Sequence, residues 1–150
     1  MMARRALVAG AAALAVVLAF GVAAQSMAPD QRAALDTALR WLVPIDAGRY
    51  ADAWAMAAAP LKATVGRQEW QDGMRKIRKD YGRVVNRKAG KIAYVGEAPG
   101  PDYPSTGPKE GVKIGILFDT TFAGNKAATE EVTMVYEKDG LWRVAGYYIR

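Results

Sequence analysis

The chain reads as an α+β protein: three N-terminal helices packed on one face of a curved antiparallel sheet. Three observations predict this. Apolar residues recur at helical spacing between Pro29 and Tyr81, and from residue 83 they alternate with a period of two. The last three alternating runs are joined by turns too short for a crossover, so those strands pair antiparallel. Helices with one apolar stripe each then bury it against the sheet.

The first helix is read from "PDQRAALDTALRWLVPIDAG". Leu35, Leu39 and Leu42 fall at i, i+4 and i+7, and Ala34, Ala38 and Trp41 widen the stripe. Pro29 suits a first helical turn, Asp30 complements the helix N-terminus, and Pro44 is expected to end the helix near Trp41 to Leu42. The second helix is "DAGRYADAWAMAAA", with Asp46 as its N-cap, Tyr50 and Trp54 on one face and Pro60 closing it. The third is "GRQEWQDGMRKIRKDYG", where Trp70, Met74, Ile77 and Tyr81 form the stripe and Gly82 is the stop.

Residues 84–88 and 91–95 are strand candidates, either one strand interrupted at Ala89-Gly90 or a short hairpin. In "GVKIGILFDTTF", Val112, Ile114, Ile116 and Phe118 share a face; in "EEVTMVYE", Val132, Met134 and Tyr136 do so. "LWRVAGYYI" places Trp142, Val144 and Tyr148 on the core side, with Arg143, Tyr147 and Ile149 opposite. "GNK" and "KDG" supply the turns, and the Pro-rich "GEAPGPDYPSTGPKEG" reads as an exposed loop.

The N-terminus carries a different signal. Arg4 and Arg5 precede a run without charge from Ala6 to Ala23, and Val22 and Ala24 occupy the positions of an A-x-A-like cleavage site. That order is the order of a secretory signal peptide, with cleavage expected after Ala24. An uncleaved membrane anchor is the rival reading, but the run is short for a spanning helix and rich in weakly hydrophobic Ala. Residues 25–150 then form one α+β domain, long enough to bury a core without disulfides. The chain has neither Cys nor His. Thiol and imidazole nucleophiles, and thiolate or imidazole ligands for zinc, are therefore excluded; a carboxylate site for calcium or magnesium stays open, but no D-x-D-x-D-G loop is present to hold one, and no metal and no cofactor is expected.

Several pieces together resemble one family. "RWLVPIDAGRYADAW", "RQEW", "YGRVVNR" and "DGLWRVAGYYIR" are similar to the small exported bacterial proteins of domain of unknown function 4019. The resemblance runs from about Ala33 to Arg150 and rests on Trp41, the Asp46–Gly48–Tyr50–Trp54 spacing, Trp70, Gly82 with Arg87, and the Trp142-to-Tyr148 terminus. It implies no activity. The element order is also similar to the nuclear transport factor 2-like superfamily, which implies a cone-like or cystatin-like sheet with a pocket under the helices; fold alone does not fix function.

The candidate chemistry is sparse. Asp46 reads either as a general base assisted by Tyr50 or Tyr148, or as a helix cap, and its place before a helical run favours the cap. Trp41, Asp46, Tyr50, Trp54, Trp142 and Tyr148 are the candidate ligand-binding residues, although the aromatic spacings predict core equally well. Nine basic and three acidic residues fall between Arg67 and Lys91. Arg75, Lys76, Lys79, Arg83 and Arg87 form its candidate surface patch, either a solvated helix face or a dock for an acidic partner or anionic membrane surface. Nucleic acid is not expected, and no phosphate loop or nucleophile elbow is present. The sequence therefore points to an exported, periplasmic, non-enzymatic binding or interaction module for a small molecule or an envelope protein. The alternatives are a small pocket enzyme of ketosteroid-isomerase-like type with a buried carboxylate and tyrosine, or an envelope-surface docking protein using residues 67–91.

Overall fold

Helix α1 spans Pro29–Asp46 and supplies one wall of the core through Ala34, Leu35, Ala38, Trp41, Leu42 and Ile45. The computed structural model describes residues 27–96, 99–100 and 107–150. The expected signal segment lies outside these residues, as does much of the Pro-rich loop. Among the described residues no helix is long and apolar enough to cross a membrane. Leu39 was expected in the α1 stripe but is 43% exposed, because the stripe centres on Ala38 and Trp41 and leaves Leu39 on its flank.

Pro44 does not end α1. It lies in the last turn, where it forfeits a bond to the Arg40 carbonyl and crowds that carbonyl, a cost that the packing beyond it must offset. Ile45, fully buried, and Asp46, held by two arginines, keep the chain helical past it. Asp46 is consequently the last residue of α1 and not the cap of the next helix. Gly48, at φ +72°, turns the chain into α2, Tyr50–Ala55. Pro60 likewise does not close that helix; it sits in the first turn of a further helix, α3, Ala59–Thr64. Four α-helices thus stand among the described residues where three were expected. The Ala58 N–H donates to the Val144 carbonyl at 2.8 Å and ties the α2–α3 joint to the sheet.

Helix α4, Arg67–Tyr81, ends at Gly82 with φ +76°, as its sequence predicts. Met74 is buried, but Ile77 is 44% exposed and Arg78 only 6%. The inward face is therefore rotated toward Arg78, and an arginine takes a place in the core.

The strands are β1 (Val84–Val95), β2 (Lys113–Phe122), β3 (Lys126–Tyr136) and β4 (Trp142–Ile149), antiparallel in sheet order β1-β2-β3-β4. The two candidate segments of β1 are one strand. Its register shifts between Val84 and Asn86 and again between Ala89 and Ile92, so Arg87 pairs with Thr120 on the helix-facing side. Ile114, Ile116, Phe118, Thr120 and Phe122 of β2 and Glu130, Val132 and Met134 of β3 are all buried on that side.

Strand β4 corrects the expected alternation. Thr133 pairs with Gly146 but Met134 pairs with Val144, which leaves Ala145 as an extra residue. That bulge flips every later side chain to the other face. Trp142 and Val144 face the helices as expected, but beyond the bulge Tyr147 is buried at 8% and Tyr148 is 65% exposed.

Candidate functional site

Two acids and two arginines converge where the C-terminal ends of α1 and α4 meet the sheet. Glu130, on the inward face of β3, has 0% exposure. Arg87 donates to it from Nε at 2.6 Å and Nη2 at 3.0 Å. Thr120 donates from Oγ1 at 2.5 Å, and the Tyr147 hydroxyl at 2.5 Å. A buried carboxylate costs least when its charge is paired and its lone pairs are filled, and for Glu130 both conditions hold.

Arg87 reaches past Glu130 to Asp46, with Nη1 to Oδ2 at 2.7 Å and Nη2 to Oδ1 at 2.9 Å. Arg78 adds a bond to Asp46 Oδ1 at 3.2 Å, donates to the Gly82 carbonyl at 3.4 Å, and lies 5.2 Å from the Phe122 ring centroid. Two negative and two positive groups therefore balance. Burial acts to lower the pKa of Arg87, but the hydrogen bonds and charges of Asp46 and Glu130 outweigh it and hold the guanidinium above its ordinary range. Burial, and next the charge of Glu130, hold the Tyr147 hydroxyl well above the usual phenol range, so it is a fixed donor.

Outside this network, a groove of about 410 Å³ opens between the α1–α2 turn and α4. Asp46, Gly48, Tyr50, Arg75, Lys79 and Arg83 line it, with Arg78 at its base. Arg75 pairs with Asp72 at 2.8 Å, both largely exposed. Lys79 and Arg83 have no ion pair among the described residues. With Asp46 already neutralised, the groove presents an excess of positive charge and suits an anionic group.

The sequence candidates separate into different places. Asp46 and Tyr50 line the groove. Trp41 is core: it is 1% exposed, donates its indole N–H to the Ala53 carbonyl at 2.8 Å, and meets Tyr147 edge to face. Trp54 is half-buried and donates to the Val65 carbonyl at 2.9 Å. Trp142 lines a separate cavity beside the start of α1, and Tyr148 lines an apolar cleft with Ile77 and Ile149. Of the basic patch, Arg75, Lys79 and Arg83 gather at the groove, and Lys76 is exposed. Arg87 is not a surface residue: its side chain is 11% exposed and spent on two carboxylates, because the β1 register turns it inward. Glu130, Thr120 and Tyr147 were missed. The first two carry a signal, since Glu130 shares its parity with Val132 and Met134, and Thr120 shares its parity with Ile114, Ile116 and Phe118.

Comparison with known proteins agrees with the resemblance read from the sequence. The family described as "Protein of unknown function (DUF4019)" matches residues 37–147, well over half of the chain, and the chain belongs to that family. No curated protein matches it. A solved 2.5 Å structure from Catenulispora acidiphila is similar over 79% of this chain and 88% of its own, at 13% identity and a TM-score of 0.47.

Proposed function

We propose that this protein is an exported, non-enzymatic binding module that takes a ligand bearing a carboxylate or phosphate group in the groove between the ends of α1 and α4. The observation that carries the reading is the gathering of Arg75, Lys79 and Arg83 around a groove whose one acid, Asp46, is already neutralised by Arg78 and Arg87. Export rests on the charged, apolar, small-residue order of residues 1–24. An enzyme of carboxylate-and-tyrosine type draws on one observation, the Tyr147–Glu130 bond. Glu130 is closed to solvent and both of its oxygens are occupied by Arg87, which favours the binding module, although Tyr147 borders a surface cleft.

The test is a titration of inorganic phosphate, acetate and phosphatidylglycerol vesicles at low and high salt, followed by calorimetry or NMR. Binding is expected to weaken with salt and to fall about tenfold or more when Lys79→Glu and Arg83→Glu are combined. Uptake of the soluble anions indicates a small ligand, whereas binding to vesicles alone indicates docking on an anionic membrane. Binding insensitive to both salt and charge reversal, or no binding, overturns the reading.

A further inference from the structure

The other end of α1 holds a carboxylate in the opposite condition. Asp30 is 6% exposed, and its Oδ2 accepts the Tyr94 hydroxyl at 2.6 Å. Its Oδ1 is shut off from solvent and has no hydrogen-bond partner. Such an orphaned acceptor costs about 1–3 kcal/mol, more when it carries charge. The first-turn amides of α1 offset part of that charge, yet give Oδ1 no hydrogen bond. A native fold keeps few such groups, and each calls for a donor.

A cavity of about 370 Å³ is lined by Asp30 together with Ala33, Pro108, Tyr136, Gly140 and Trp142. The Tyr136 and Trp142 rings sit 5.2 Å apart at 58°, forming a continuous aromatic wall. Trp41, Trp54 and Trp70 each donate the indole N–H to a backbone carbonyl, while Trp142 donates to no described residue. Oδ1 is closed to solvent as the side chain stands, so taking a donor from the cavity requires the carboxylate to turn, and the Tyr94 hydroxyl bonded to Oδ2 to follow it. Aromatic faces and a carboxylate both attract an N–H cation and both disfavour an anion. A neutral apolar molecule fills the volume but leaves Oδ1 unsatisfied.

We propose that this cavity binds a small organic ammonium ion with an apolar body, held by Asp30 and by the rings of Tyr136 and Trp142. The proposal is independent of the anion groove.

Benzylammonium and benzyl alcohol titrated into the intact chain near neutral pH test it, with the Trp142 indole N–H resonance as the reporter. The expected result is a saturable shift with benzylammonium and about tenfold weaker binding of the alcohol. Asp30→Asn should lower ammonium affinity about tenfold and leave the alcohol unchanged, and Tyr136→Leu should weaken the ammonium severalfold. Equal affinity for the two probes, no saturable shift, or full ammonium binding by a folded Asp30→Asn variant overturns the proposal. If near-UV circular dichroism shows that this variant does not fold, the ammonium-to-alcohol ratio on the unaltered chain decides alone. Phosphate at the α4 groove should leave the Trp142 resonance in place, so the two sites fail or hold separately.

Discussion

Asp46 closes α1 within hydrogen-bond reach of two guanidinium groups, whereas Asp30 opens the same helix with one hydroxyl donor and one oxygen unpaired. The ends of an 18-residue helix stand about 25 Å apart, far beyond useful electrostatic coupling through solvent. Each carboxylate is therefore governed by its own surroundings. At the C-terminal end the surroundings supply donors to both acids, which serve the fold, although Arg78 Nε is itself left unpaired there. At the N-terminal end they leave one carboxylate oxygen without a donor, and the acid remains free to serve a ligand. A buried acid marks a binding site only where its hydrogen bonds are incomplete.

The largest break in this comparison is Arg87→Met. It leaves Glu130 buried without its counter-charge and takes from Asp46 its two shortest bonds. Removing one partner of a buried pair costs about 3–5 kcal/mol, and urea denaturation should show a loss of that size. A loss under about 1 kcal/mol would mean that the network is ornamental. Next comes Asp46→Asn. Its side chain is 30% exposed, so water covers part of the deficit, and a loss of about 2 kcal/mol is expected in the same assay.

A smaller effect has a pH signature. The Tyr147 hydroxyl is held, first by burial and then by Glu130, above its ordinary value near 10. Its contribution is complete below about pH 10, where both states keep the proton. Above that pH the unfolded chain releases the proton while the folded chain retains it. The unfolded state then binds fewer protons, and stability falls by up to about 1.4 kcal/mol per pH unit. Tyr147→Phe removes this component, so the advantage of the unaltered chain should be constant from about pH 7 to 9 and lost by about 1 kcal/mol near pH 11. An advantage that stays constant through pH 11 would show that Tyr147 titrates like an exposed tyrosine.

Much of this was legible beforehand, and what was not has identifiable causes. The fold class, α4 with its Gly82 stop, and the inward faces of β2 and β3 follow directly from periodicity. Pro44 and Pro60 mislead for different reasons: Pro60 starts a helix, where its missing N–H has no intrahelical bond to lose, whereas Pro44 keeps its penalty and is overridden by the burial of Ile45 and the ion pairs of Asp46. Tyr148 was placed inside because alternation cannot announce a bulge, and one extra residue at Ala145 exchanges it with Tyr147. The acid–arginine network was hidden for a related reason. Arg78 and Arg87 look like surface charge until a rotated helix face and two register shifts turn them inward. Glu130 was the accessible clue, a charge on the apolar parity of its strand.

The smallest expected change in stability, from Asp30→Asn, separates the two ends of α1 most sharply. The substitution removes an incompletely bonded buried charge, which favours the folded state. It also removes a charge that complements the start of α1, worth about 0.3–1 kcal/mol, and leaves an amide N–H where Oδ1 stood. The Asn oxygen can still accept the Tyr94 hydroxyl. These contributions oppose one another, so the urea midpoint should move by less than about 1 kcal/mol equivalent. The conservative change at Asp46 should cost clearly more, although Asp46 is the more exposed of the two acids. If Asp30→Asn instead costs as much as Asp46→Asn, Asp30 is satisfied structurally after all, and the cavity beside Trp142 loses the acid that would hold a cation.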